Sequence, residues 1–195
     1  MKISNKLLTL TFTFIVALTP ALISSSECRA QKFALSTNLA EWAYYGTANL
    51  DASLSVSQHF SLFVGGHYNQ WKFTANSDNQ VFNNQTTAYA GVRYWPWYVY
   101  SGWWLGARLR YTDFSRLGFF LPTFKEGRSV GAGVSFGYTW MIHEKFNIEV
   151  GGGIWGGRHL QYAKYWSSDS MDHMEKGPRN FLALEDLSVA LMYVF

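Results

Sequence analysis

The sequence predicts an all-β fold: an eight-stranded antiparallel transmembrane β-barrel, an up-and-down meander with short periplasmic turns and long extracellular loops. Three observations carry this. Eight segments alternate apolar and polar side chains with a period of two. The connections between them alternate short and long, as in outer-membrane barrels. The last segment, Glu185 to Phe195, alternates strictly and ends on an aromatic. A greasy terminal strand is what a membrane barrel needs to close on its first strand.

Composition agrees. The 195 residues suffice for one domain, with 18% aromatic and only 15% charged residues. Soluble domains carry about a quarter charged residues. Mean hydropathy is close to zero, so the apolar residues are dispersed along strands rather than gathered in membrane helices. The one long apolar run is Leu7 to Leu18, behind Lys2 and Lys6 and before Pro20 and the serines at 24–26. Cys28-Arg29-Ala30 places small residues at −3 and −1 of a cut before Gln31. Residues 1–30 therefore read as a signal peptide and 31–195 as the barrel. A retained anchor would need a longer run. Cys28 is the only cysteine, and Glu27 before it argues against lipidation. Cleavage after Ala30 would leave no thiol or disulfide chemistry. Residues 1–30 hold Lys2, Lys6, Arg29 and Glu27, a net +2 of the formal +3, which leaves about +1 for the rest. No basic stripe remains to argue for nucleic acid.

The strands follow in order. The first, Phe33 to Ala40, puts Phe33, Leu35 and Leu39 on one face. The second interleaves Ala48, Leu50, Ala52, Leu54 and Val56 with Asn49, Asp51, Ser53 and Ser55. The third, from about Phe60 to Trp71, opposes Leu62, Val64 and Tyr68 to Ser61, His67 and Asn69. The fourth, near Thr87 to Trp95, opposes Ala88, Ala90, Val92 and Tyr94 to Tyr89, Gly91 and Arg93. The fifth opposes Trp103, Leu105, Ala107, Leu109 and Tyr111 to Gly106, Arg108, Arg110 and Thr112. The sixth opposes Val130, Ala132, Val134, Phe136 and Tyr138 to Gly131, Gly133, Ser135, Gly137 and Thr139. The seventh opposes Phe146, Ile148, Val150 and Ile154 to Asn147, Glu149, Gly151 and Gly153. The eighth sends Leu187, Val189, Leu191, Tyr193 and Phe195 outward and Ser188, Ala190, Met192 and Val194 inward.

Ser57-Gln58-His59 and Ile142 to Lys145 are tight turns, Pro96 to Gly102 a moderate one, and 72–86, 113–127 and 157–183 read as long polar loops. An even strand count returns both termini to the periplasmic side. Trp95, Trp97, Tyr98, Tyr100, Trp103 and Trp104, with Trp140, Tyr193 and Phe195, form one expected aromatic girdle. Trp42, Tyr44 and Tyr45 mark the other. The alternative is a soluble lipocalin-type barrel around an apolar ligand. It is disfavoured because the polar faces carry Gly, Ser and Asn rather than Lys and Glu.

Several strings also resemble one family in consistent order: Tyr68-Asn69-Gln70-Trp71-Lys72-Phe73, Val92-Arg93-Tyr94-Trp95, Gly137-Tyr138-Thr139-Trp140, Phe146-Asn147-Ile148-Glu149, Gly156-Gly157 and Tyr193-Val194-Phe195. Together they look like the Bacteroidetes outer-membrane family catalogued as domain of unknown function 3575. The resemblance implies a secreted barrel and brings no catalytic residues. Many members of that family have a Cys-Pro-x-Cys turn in the last long loop. Here the stretch is Tyr165-Trp166-Ser167-Ser168-Asp169-Ser170, so a redox or metal role tied to that turn does not carry over.

The lumen face gathers Asp51, Arg93, Arg108, Arg110 and Glu149, with His67 as a further member. An eight-stranded barrel is just wide enough to be filled by side chains, and charges buried there must pair. The expected outcome is a polar plug of salt bridges; the alternative is a narrow, anion-tolerant pore. Asp169, Asp172, His173 and Glu175 are the only metal candidates, and their spacing matches no EF-hand or zinc site. Asp169-Ser170-Met171 resembles a short O-glycosylation signal of Bacteroidetes secreted proteins. Gly151, Gly153 and Gly156 match G-x-G-x-x-G, but no helix follows and phosphate binding is not expected. An enzyme acting on lipid A or peptides would need a nucleophile, base and acid near the outer girdle. Ser115, Ser129, His159 and Asp113 are the candidates, and their spacing singles none out. Leu117, Phe119, Phe120, Leu121 and Phe124 would stand outside the membrane and suggest a partner or lipopolysaccharide contact. Tyr193 and Phe195 read as the barrel-assembly signal. The expectation is a monomeric, non-enzymatic outer-membrane barrel without a cofactor, meeting lipid, the assembly machinery and an envelope or extracellular partner.

Overall fold

Among the described residues, ten strands and one short helix follow one another: β1 (Phe33–Asn38), α1 (Leu39–Ala43), β2 (Ala48–Ser55), β3 (Phe60–Asn69), β4 (Lys72–Asn76), β5 (Asn79–Tyr94), β6 (Gly102–Leu117), β7 (Thr123–His143), β8 (Phe146–Trp166), β9 (His173–Lys176) and β10 (Arg179–Val194). The structure, a computed structural model, describes residues 33–43, 46–70, 72–76, 79–117, 123–166 and 173–195. The expected signal peptide, 1–30, lies outside them.

Eight strands close the wall in the order β1-β2-β3-β5-β6-β7-β8-β10, each antiparallel to its neighbours. β10 completes the ring on β1, with Tyr193 opposite Leu35 and Ala190 opposite Asn38. β4 and β9 are extensions paired to β5 and β8. This is the predicted barrel. Closure gives each of the eight wall strands a partner on both sides.

The wall is inside out relative to a soluble domain. Leu50, Leu62, Val64, Leu105, Leu109, Val134 and Phe136 are exposed, whereas Ser61, Asn69, Thr112, Thr139, Asn147 and Glu149 are buried. The alternation of β3 shows it residue by residue: Leu62 and Val64 out, Ser61, His67 and Asn69 in. That pattern runs opposite to what a soluble barrel around an apolar ligand requires.

Four expectations are corrected. First, the stretches read as long loops are largely strand. β7 and β8 run 21 residues each, roughly 70 Å of chain at about 3.3 Å per residue. An apolar band of about 25 Å uses only part of that. The extensions keep their ladder hydrogen bonds but carry polar residues on both faces, so the period-two signal fades in the sequence. Second, β1 stops at Asn38. The Asn38 side-chain oxygen accepts from Ala40 N at 3.1 Å and caps α1. The helix is closed by Gly46 N donating to the Trp42 carbonyl at 3.1 Å, with Gly46 at φ 62°. Third, the expected alternation of the last strand holds from Leu187 to Phe195 but not from Glu185. A bulge between Glu185 and Ser188 sets Leu182, Leu184 and Leu187 all outward and exposed. Fourth, Trp95, Tyr100 and Trp104 are not girdle residues: they are buried inside the barrel, while Trp97, Tyr98 and Trp103 face outward.

Candidate functional site

Parity aims the odd positions of β5 and the even positions of β6 into the barrel, and the other strands follow suit. The lumen fills in three layers. At the short-turn end Ala34, Trp95, Tyr100, Trp104, Met192 and Val194 form an apolar floor. Trp95 and Tyr100 meet edge to face at 5.8 Å. Trp95 Nε1 donates to Ser61 Oγ at 3.0 Å, and Asn147 Nδ2 donates to the Tyr100 carbonyl at 2.8 Å. Gly137 and Gly151 make room for the Trp104 ring: a Cβ would come within 2.6 and 2.7 Å of it. Tyr100 turns into the lumen at φ 68°, a left-handed conformation costing about 1–2 kcal/mol. Burial of its ring offsets that cost.

The middle layer is charged. Arg93 Nη1 donates to Glu149 Oε2 at 3.0 Å, and Thr139 Oγ1 donates to the same oxygen at 3.3 Å. The Arg93 guanidinium lies between two aromatic faces, 4.8 Å from the Phe63 centroid and 4.4 Å from that of Trp104. A second network runs across the lumen. The Tyr89 hydroxyl donates to Asp51. His67 Nε2 meets that hydroxyl at 2.9 Å, and His67 Nδ1 lies 3.2 Å from Glu41 Oε2 on α1. Asn38 Nδ2 donates to Glu41 Oε1 at 3.0 Å. The Arg108 guanidinium covers the Tyr89 ring at 5.0 Å. The chain Asp51–Tyr89–His67–Glu41 thus ties β2, β5 and β3 to the helix. The space left among these groups is a cavity of about 40 Å³, room for one or two waters.

The outer layer holds Arg110, whose Nε donates to Thr112 Oγ1 at 3.2 Å and whose guanidinium lies 4.7 Å from the Trp155 ring. Ser129 Oγ and His159 Nδ1 are 2.5 Å apart. The imidazole is stacked on Phe181 at 4.3 Å and on Tyr162 at 5.0 Å.

A serine hydroxyl on an imidazole is the start of a nucleophile–base pair. The other parts do not converge here. Ser129 is 1% exposed. Asp113 and Ser115 have the outward parity on β6, and Asp113 pairs with Arg128 at 3.1 Å. The Ser129–His159 contact joins β7 to β8 where the ladder shifts register between Arg128 and Ser129.

All six predicted lumen residues, Asp51, His67, Arg93, Arg108, Arg110 and Glu149, line the interior. Arg93 meets Glu149, and Asp51 joins His67 through Tyr89; Arg110 stands apart from both. Sequence reading missed Glu41 because α1 was not anticipated. Tyr89 was within reach, since it shares the parity of Gly91 and Arg93. Leu117 and Phe124 are register partners in the β6–β7 ladder; Phe119, Phe120 and Leu121 lie outside the described residues. So do Asp169 and Asp172, while His173 and Glu175 fall on β9, in register with Tyr165 and Lys164. Tyr193 packs on Phe146 at 5.0 Å and on Phe195 at 4.7 Å, and Phe195 lies 5.5 Å from Phe33 across the closing seam.

No curated protein and no solved structure matches the chain. A family model described as a protein of unknown function, DUF3575, matches residues 12–195, nearly the whole chain. A closed eight-stranded barrel with a densely filled lumen, matched along almost all its length by that model, belongs to the DUF3575 family.

Proposed function

We propose that the protein is an outer-membrane barrel with a structural or surface-interaction role, its lumen plugged and its partner contacts made by the strand extensions at the long-connection end. The inversion of burial carries this reading. A wall of exposed Leu, Val, Ile and Phe is stable only against hydrocarbon, and the buried Arg93–Glu149 pair needs the closed interior that the same strands provide. The apolar floor and the small residual cavity favour a plug over an anion-tolerant pore. The sealed Ser129 and outward Asp113 favour a non-enzymatic role over lipid A or peptide chemistry.

Fractionation tests the location: the protein should partition with the outer membrane and show heat-modifiable gel mobility. Purified protein in planar bilayers should give no steady conductance, and steady open channels would overturn the plug. Lipid A from cells with and without the protein should have the same mass profile.

A further inference from the structure

Outside the lumen, the wall carries a concavity of about 620 Å³, bounded by Ala107, Leu109, Ala132, Val134, Ile154 and Leu182. It is an open depression along the wall rather than an enclosed pocket. Its lining is apolar, and Leu109, Val134, Ile154 and Leu182 are all exposed around it. Ala107, Ala132 and Gly156 keep it open because their short side chains leave the larger neighbours standing proud.

The polar groups near it are not scattered. Gly156 on β8 is followed, at the next outward position, by Arg158, about 6.6 Å further along the strand. Arg158 is exposed and has no ion-pair partner among the described residues. Opposite it on β10 stands Asn180, also exposed. On β7 the outward positions beyond Ala132 are Val130 and Arg128, the latter paired to Asp113. Arg158 lies 12 residues from Phe146 at the short-turn end of β8, about 30 Å along a barrel axis with strands tilted near 40°. That is the thickness of a hydrocarbon core, which sets the guanidinium at headgroup level on the long-connection side.

We propose that this concavity is a binding site for one anionic acylated lipid of the surrounding leaflet. An acyl chain occupies the groove and the phosphate sits on Arg158, with Asn180 donating a further hydrogen bond. Bulk zwitterionic lipid fills the groove equally well; the arginine adds the preference for negative charge. The inference rests on the membrane reading above.

The test uses the full chain folded in detergent, with heat-modifiable mobility as the folding control. Native mass spectrometry reads retention of phosphatidic acid against phosphatidylcholine with the same acyl chains. The wild type should prefer phosphatidic acid by about tenfold, the scale of one charge-assisted hydrogen bond. Arg158→Gln and Arg158→Glu should remove the preference while keeping heat modifiability. Ala132→Phe, which fills the groove, should weaken retention of both lipids. Equal retention of the two lipids by a heat-modifiable wild type, or an unchanged preference in both Arg158 variants, overturns the site and leaves the membrane reading standing. A chain found in the soluble fraction overturns the membrane reading and the site with it.

Discussion

Replacing Glu149 with leucine should destabilise the barrel by about 3 kcal/mol, the low end of the range for breaking a buried ion pair. The carboxylate is 2% and its partner Arg93 8% exposed. At 3.0 Å and an effective dielectric near 20, their attraction is about 5.5 kcal/mol before desolvation. Losing Glu149 leaves the guanidinium between Phe63 and Trp104 without its carboxylate. Asp51 is the other carboxylate near Arg93, which keeps the loss at the low end. Glu149→Gln should cost less, since an amide oxygen still accepts from Arg93 and Thr139. The double variant Arg93→Met with Glu149→Leu should recover most of the loss, because an apolar pair of similar volume leaves no buried charge. Urea unfolding in micelles, read by heat-modifiable mobility, supplies the double-mutant cycle. A coupling energy below about 1 kcal/mol would refute the pairing argument and with it the electrostatic account of the plug.

Leu109→Arg on the outer wall should cost about 2–4 kcal/mol if that face meets the bilayer interior; an effect within about 0.5 kcal/mol would count against a lipid-facing wall. Tyr89→Phe removes the hydroxyl shared by Asp51 and His67, so unfolding should show a loss of about 1–3 kcal/mol, and a neutral result would remove the cross-lumen network from the stability argument. Phe195→Asp should impair assembly more than any substitution in the long connections, measured as the fraction of protein reaching the heat-modifiable form. Normal insertion of that variant would contradict the role assigned to Tyr193 and Phe195.

Much of the barrel was legible because period-two alternation is a local property. The faces of Leu62, Val64, Arg93, Arg108 and Glu149 all follow from parity, and parity holds wherever one side of the strand meets an apolar medium. It fails where polar residues occupy both faces. In the outer halves of β7 and β8 Arg128 and Arg158 stand outward while Ser129 and His159 stand inward, so these stretches looked like loop. Trp95, Tyr100 and Trp104 misled for another reason. Trp95 and Trp104 share the inward parity of Arg93 and Arg110, so the girdle reading overrode a signal that was present; Tyr100 lies in the turn at φ 68°, where strand parity gives no direction.

The sequence by itself determined the closed antiparallel barrel, the side of the wall faced by the residues of its regularly alternating segments, and the charged character of the interior. Tertiary structure alone decided which of those charges meet. Arg93 and Glu149 are 56 residues apart and Tyr89 and Asp51 are 38 apart. Their heights in the lumen depend on the stagger between strands, on the bulge in β10 and on the helix that brings Glu41 to His67. Stagger is a property of the ring as a whole, since each register shift must sum to closure, and no local pattern of apolar and polar residues records it.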